Sequence, residues 1–270
     1  MTARESIVKT AQDTSHLKGR IDANRGQQTD LNQWVFEKLR LQKGWRVLEL
    51  CCGTGAQTNY LVKGVGIQGH VHALDISADA IENVNKTLGE QYDDRMTILE
   101  ADIDDFTGRL AEQGLVESYF DLIFCSYGLY YCSNIQKTLG DMERWLKPTG
   151  KMAIVGPFGP NNKPLYDLLR ENGVTPSDYV LHTSSTFMTE DVISWAVEKF
   201  EQVSIHSLVN PVVWESPQIL MTYWKSSTFF DDTKRHAVQD HVEKHFQQRD
   251  TFINEKWVML LIAENKRYQK

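Results

Sequence analysis

The sequence predicts an α/β fold in which a parallel sheet of seven strands is covered by helices on both faces. Three observations carry that prediction. Short β-branched or apolar runs alternate along the chain with segments of helical period or helix-compatible composition. The first of these runs leads through a glycine-rich turn into a helical stretch, the opening of a strand-turn-helix unit. Finally, 41% apolar residues over 270 positions suffice for a substantial buried core.

The elements follow in order. Within residues 1–43, a helix is expected over about 30–41, with Leu31, Trp34, Val35, Leu39 and Leu41 as its apolar stripe and Gly44 as its C-cap. Five strand candidates come next, at 46–50, 70–74, 96–100, 120–125 and 151–155. A first insert, 156–185, carries Pro157, Pro160, Pro164 and Pro176 and a short helix over 165–171. A sixth strand at 201–206 is followed by a second insert, 210–254, rich in aromatic residues, and then by a seventh strand at 255–264. The expected organisation is an N-terminal helical cap (1–43) and a main domain (44–270) whose inserts emerge at the carboxyl ends of the strands, where ligands of open α/β sheets bind.

Charge and cysteine usage narrow the function. Lys plus Arg number 29 against 36 Asp plus Glu, a net charge of −7, so no basic field gathers phosphates and no nucleic-acid partner is expected. No apolar run reaches the ~20 residues of a membrane span, and the first residues lack an apolar signal core. A cytoplasmic protein, monomer or homodimer, is expected. The four cysteines lack C-x-x-C spacing, which favours reduced thiols and no metal site.

The strongest local signal is Glu49-Leu50-Cys51-Cys52-Gly53-Thr54-Gly55, a strand entering a glycine turn ahead of a helix. Such a turn presents backbone N–H groups to a polar ligand. Twenty residues past Gly55 stands Asp75, at the end of the second strand, where a carboxylate can accept from both hydroxyls of a ribose. As a dinucleotide fingerprint the loop fails at Thr58, which occupies the place of a small Gly or Ala. With Ala101-Asp102-Ile103 after the third strand, the set resembles the class I S-adenosylmethionine-dependent methyltransferases over residues 46 to about 155.

The resemblance implies a Rossmann-like sheet, mostly parallel with an antiparallel last strand, and an N-terminal lid, here the polar segment 16–28, closing over the cofactor. It implies that Glu49, Cys51, Gly53 and Gly55 surround the methionine part of S-adenosylmethionine, and that Asp75 takes the ribose. Ile76 and Ile103 would line the adenine, Asp102 would accept from its amino group, and Cys125 would end the fourth strand at the cofactor's amino acid moiety. Cys51 stands where the family has its first glycine.

For the acceptor side, Tyr127, Tyr131 and His206 are the candidate catalytic residues, and Trp214, Tyr223 and Trp224 the candidate pocket. Each aromatic also reads as core packing, and His206 as an ordinary strand histidine. The segment after the fourth strand lacks the Asn/Asp-Pro-Pro-Tyr/Phe run of amide and base N-methyltransferases, and no carboxylate cluster follows it for magnesium. The expected reaction is methyl transfer to an O, N or C nucleophile of a small, partly apolar metabolite, releasing S-adenosylhomocysteine. An NAD(P) oxidoreductase and a non-catalytic S-adenosylmethionine-binding module are the alternatives.

Overall fold

The computed structural model describes residues 13–267, so residues 1–12 of the expected cap and 268–270 lie outside the described residues. The chain forms two compact units. One draws on the described residues up to Asp30, on Pro157–Met188 and on Ser207–Val258; the other on Leu31–Gly156, Thr189–His206 and the described residues from Met259. Residues 31–43 therefore belong with the sheet unit, and most of both inserts with the other.

Seven strands form one sheet in the order β3-β2-β1-β4-β5-β7-β6, mostly parallel, with antiparallel pairing at the last strands. They are β1 (Arg46–Leu50), β2 (His70–Asp75), β3 (Met96–Glu100), β4 (Phe120–Ser126), β5 (Leu146–Pro157), β6 (Phe200–Trp214) and β7 (Phe252–Lys266). β1 pairs in parallel with β2 on one side and β4 on the other, Leu50 lying opposite Leu74 and Cys125. The winding direction reverses there, so the loops leaving β1 and β4 part and open a crevice at the carboxyl ends. In the sheet centre Val47, Leu48, Leu122, Ile123 and Phe124 are all fully buried, as a sheet covered on both faces requires.

Several boundaries differ from expectation, β7 among them, which starts at Phe252 and not at Glu255. The helix expected over about 30–41 runs Leu31–Leu39 and buries Val35 and Leu39. It ends because Arg40 turns left-handed, φ 51°, while Gly44, at φ 82°, serves the turn into β1 and donates to the Val65 carbonyl at 2.8 Å. β5 begins at Leu146, five residues before the expected start: Phe120 lies opposite Leu146 and Leu122 opposite Lys151, so Pro148 to Gly150 sit in a bulge inside the strand. β6 continues to Trp214, so Asn210 and Trp214 are strand residues. The helix Asp178–Ser185, capped by the Ser177 hydroxyl, had no counterpart in the sequence reading.

The insert unit has its own core. Trp214 and Trp224 are fully buried with Leu165, Leu220 and Val238, and the Trp214 indole N–H donates to the Ala23 carbonyl at 2.8 Å. The segment 16–28 falls in this unit: helix Thr14–Ala23 is held where Arg20 donates to the Ser226 carbonyl at 2.6 Å, and Gln27 bridges to Val212.

Candidate active site

The loop after β1 is shaped by three residues with positive φ: Cys51 at 60°, Gly53 at 53° and Gly55 at 77°. Gly55 is required on two counts, since a Cβ there would also lie 2.7 Å from Val84 Cγ2. It caps the helix Ala56–Val65 without a side-chain hydrogen bond, leaving the first-turn N–H groups facing the loop. Cys51 carries a side chain in a conformation that disfavours one, and Gly128 leaves the space that this side chain fills. A Cβ on Gly128 would lie 2.4 Å from Cys51 Cβ and 2.6 Å from its Sγ. Gly128→Ala is therefore expected to destabilise the fold by about 1–3 kcal/mol. Most of that loss should disappear in the Cys51→Gly background, as denaturant unfolding of the two single variants and the double variant would report. Strictly additive losses would contradict the contact.

Asp75 closes the loop onto the end of β2. Its Oδ2 accepts from Gly53 N–H at 2.8 Å and its Oδ1 from Ser77 N–H at 3.0 Å. Each oxygen keeps capacity for a second donor, an arrangement suited to a pair of vicinal hydroxyls. Burial raises the Asp75 carboxyl above its ordinary value, opposed by the backbone N–H groups of Ser77 and Gly53. The end of β3 is tied to the same place, Ala101 N–H donating to the Asp75 carbonyl at 2.9 Å. Beyond it Asp102 forms a turn with Asp104 N–H at 2.9 Å, its carboxylate exposed, and Ile103 is buried. Ile76 is half-buried beside Asp75.

Beneath the loop lies Glu49, 1% exposed in the middle of the sheet. Burial pushes its carboxyl up to about 8, the Asp75 charge adding to the rise and the Thr58 hydroxyl opposing it. Glu49 Oε2 has no hydrogen-bond partner. The folded-state value lies above the ordinary 4.5, so the stability held by the neutral form is complete below pH 4.5 and lost as pH rises through about 8. Wild type is thus expected to lose stability, by up to roughly a few kcal/mol, relative to Glu49→Gln across that window. Parallel pH dependences of the two proteins in denaturant unfolding would contradict the burial of a titrating carboxyl.

Cys125, fully buried at the end of β4, and Cys51 are neighbours: the Cys125 thiol and burial push the Cys51 thiol well above its ordinary value. Both thiols are free. Tyr127, left-handed at φ 55°, follows, its N–H donating to the Val155 carbonyl at 2.9 Å, and Tyr131 lies in the short turn Leu129–Tyr131. The sheet unit thus brings Glu49, Cys51, Gly53, Gly55, Asp75, Ile76, Asp102, Ile103, Cys125, Tyr127 and Tyr131 to the carboxyl ends of β1 to β4. His206 is not among them: β6 lies three strands from β4, about 14 Å at ordinary strand spacing. Trp214, Tyr223 and Trp224 belong to the other unit, Trp214 and Trp224 fully buried and Tyr223 nearly so.

Two site features had no reading in the sequence. Gln57 Nε2 donates to Asn32 Oδ1 at 3.2 Å and to Ser126 Oγ at 3.1 Å, joining the helices Leu31–Leu39 and Ala56–Val65 to the end of β4. Gly128 is the other. Its contact with Cys51 joins residues far apart in the chain, and only a substitution of glycine by cysteine in the loop hinted that a compensating small residue exists.

A model of the methyltransferase domain family matches residues 41–206. The demethylmenaquinone methyltransferase of Lactobacillus johnsonii is 27% identical over 198 residues, 68% of this chain and 79% of that protein. The demethylmenaquinone methyltransferase of Listeria monocytogenes is 32% identical over 130 residues, 47% of this chain, and the match spans 51% of that relative's length. Among solved structures, phosphoethanolamine N-methyltransferase 2 of Haemonchus contortus, in complex with phosphomonomethylethanolamine and S-adenosylhomocysteine, matches with a TM-score of 0.59 at 13% identity. That match covers 98% of this chain and 60% of the other, and at such identity it is a likeness of fold.

Proposed function

Because the chain belongs to the class I S-adenosylmethionine-dependent methyltransferase family, whose domain it carries over residues 41–206, we propose that it methylates an O, N or C nucleophile of a small, partly apolar metabolite. The observation that carries this reading is the closure of the glycine loop on Asp75 through Gly53 N–H above an unpartnered, buried Glu49 oxygen. A cofactor with a ribose diol and a cationic amino acid end fits that set, because the diol matches the remaining acceptor capacity of Asp75 and the cation matches Glu49.

In this reading S-adenosylmethionine supplies a methyl group already activated on a sulfonium. The residues do the rest. Asp75 accepts from the ribose, Asp102 from the adenine amino group, and Ile76 and Ile103 line the ring. Glu49, Cys51, Gly53, Gly55 and Cys125 surround the methionine end, and Tyr127 and Tyr131 line the acceptor side. Their contribution is positioning and exclusion of water, worth up to about 7–11 kcal/mol in well-oriented cases, so no strong base is required. The names of the Lactobacillus and Listeria relatives, enzymes of demethylmenaquinone, support a small apolar acceptor. The reading keeps the enzyme in the cytoplasm, as monomer or homodimer, and among the described residues no helix is long and apolar enough to cross a membrane.

Calorimetric titration with S-adenosylmethionine, S-adenosylhomocysteine and NADH tests the cofactor. Binding of the first two without the third is expected. Saturable NADH binding alone would favour the oxidoreductase alternative, against which Thr58, fully buried where a dinucleotide fold needs Gly or Ala, already argues.

A further inference from the structure

The insert unit holds a polar cluster that the cofactor site does not use. Lys256, half-buried on β7, directs its ammonium at Asn162 Oδ1, 2.6 Å away, and at the Tyr223 hydroxyl, and stands over the Tyr223 ring at 4.1 Å from its centroid. Asn162 Oδ1 also accepts from Asn254 Nδ2 at 2.8 Å. An ammonium has donors only, so Lys256 fixes which atom of the Asn162 amide is oxygen, and Asn162 then fixes Asn254. That leaves Asn254 Oδ1, in a side chain with no exposure at all, without a hydrogen-bond partner. A buried acceptor of this kind is costly unless something donates to it.

The charges around the cluster point the same way. Burial, with the Arg20 guanidinium adding to it, pushes Lys256 down to about 7. The Tyr223 hydroxyl is raised by burial, with Arg20 and Asn162 opposing, and buried Tyr166 on the helix Lys163–Glu171 is pushed up to about 12. Glu255, the neighbouring carboxylate on β7, accepts from the Trp257 indole N–H at 3.1 Å. Lys256 thus shares Asn162 Oδ1 with Asn254, its two named partners leave one ammonium N–H over, and Asn254 Oδ1 lacks a donor. A hydroxyl group satisfies both at once, accepting from Lys256 and donating to Asn254 Oδ1, and an acidic hydroxyl gains further from the positive surroundings.

We propose that Lys256, Asn254 and Tyr223, all within the insert unit, form a binding site for a small molecule that carries an acidic hydroxyl, phenolic or enolic. The probes are 1-naphthol and 1-methoxynaphthalene, which carry the same ring and differ in the hydroxyl, titrated by calorimetry against the full chain, with S-adenosylhomocysteine titrated alongside. Wild type is expected to prefer 1-naphthol by about ten-fold or more. Lys256→Met should remove that preference while leaving S-adenosylhomocysteine affinity unchanged. Tyr223→Phe, which deletes one oxygen and keeps the packing, should reduce the preference if Lys256→Met does not fold. Equal affinity of wild type for the two probes, no binding of either, or an undiminished preference in a folded Lys256→Met or Tyr223→Phe would overturn the site. Failure of S-adenosylhomocysteine to bind wild type would instead strike the methyl-transfer reading.

Discussion

Replacing Asp75 with alanine is expected to weaken S-adenosylmethionine binding by about 1.5–3 kcal/mol, roughly 10- to 150-fold. The carboxylate stands at the end of β2 with one backbone N–H on each oxygen, Gly53 at 2.8 Å and Ser77 at 3.0 Å. Alanine removes the acceptor for the ribose and also the anchor that draws Gly53 toward β2. The fold should survive. Asp75 lies at the strand end, whereas the core is held by Val71, Ala73 and Leu74. Asp75→Asn separates the two effects, since the amide keeps an acceptor for one N–H and loses the charge; an intermediate loss is expected. Calorimetry on folded protein is the check, and wild-type affinity in Asp75→Ala would remove Asp75 from the cofactor site.

Trp214→Ala is expected to cost about 3–5 kcal/mol of stability, the usual result of deleting a large buried ring. Trp214 is fully buried, stacked with Phe252 at 5.7 Å between centroids and 5.0 Å from Tyr223. Its loss also strips the Ala23 carbonyl of the indole N–H, an added penalty for a buried acceptor. Denaturant unfolding would show a lowered midpoint, and cofactor affinity of the folded fraction should stay at the wild-type level. A Trp214→Ala protein that melts like wild type but turns over slowly would instead make Trp214 an acceptor wall, the role expected from the sequence.

The sheet was largely legible because β1 to β4 are short and rich in β-branched or apolar residues, bounded by polar turns. The later strands were legible only in part. The 15-residue edge strand β6 exposes much of its length, and a strand facing solvent shows no two-sided apolar run. The bulge at Pro148 to Gly150 reads in sequence as a turn because its residues are turn formers; only pairing with β4 reveals that the strand begins before it. In the candidate site, the glycine turn of Gly53 and Gly55 and the strand-end place of Asp75 were readable from the strand-helix repeat, whereas Glu49 and Asp102 came only with the family resemblance. Contacts such as Gly128 with Cys51, Gln57 with Asn32 and Ser126, or Lys256 with Asn162 join distant segments through side chains that follow no period. Those needed coordinates.

The central claim is that the loop from Glu49 to Gly55, with Asp75, serves methyl transfer. The direct measurement incubates the protein with methyl-tritiated S-adenosylmethionine and a small-molecule extract, and follows tritium into an extractable product. Wild type is expected to label a product while forming S-adenosylhomocysteine in equal amount, and Asp75→Ala, at the same subsaturating cofactor concentration, to label it at least about ten-fold more slowly. Equal labelling by wild type and Asp75→Ala, or no labelling by a wild type that binds S-adenosylmethionine in the presence of a broad metabolite extract, would contradict the account.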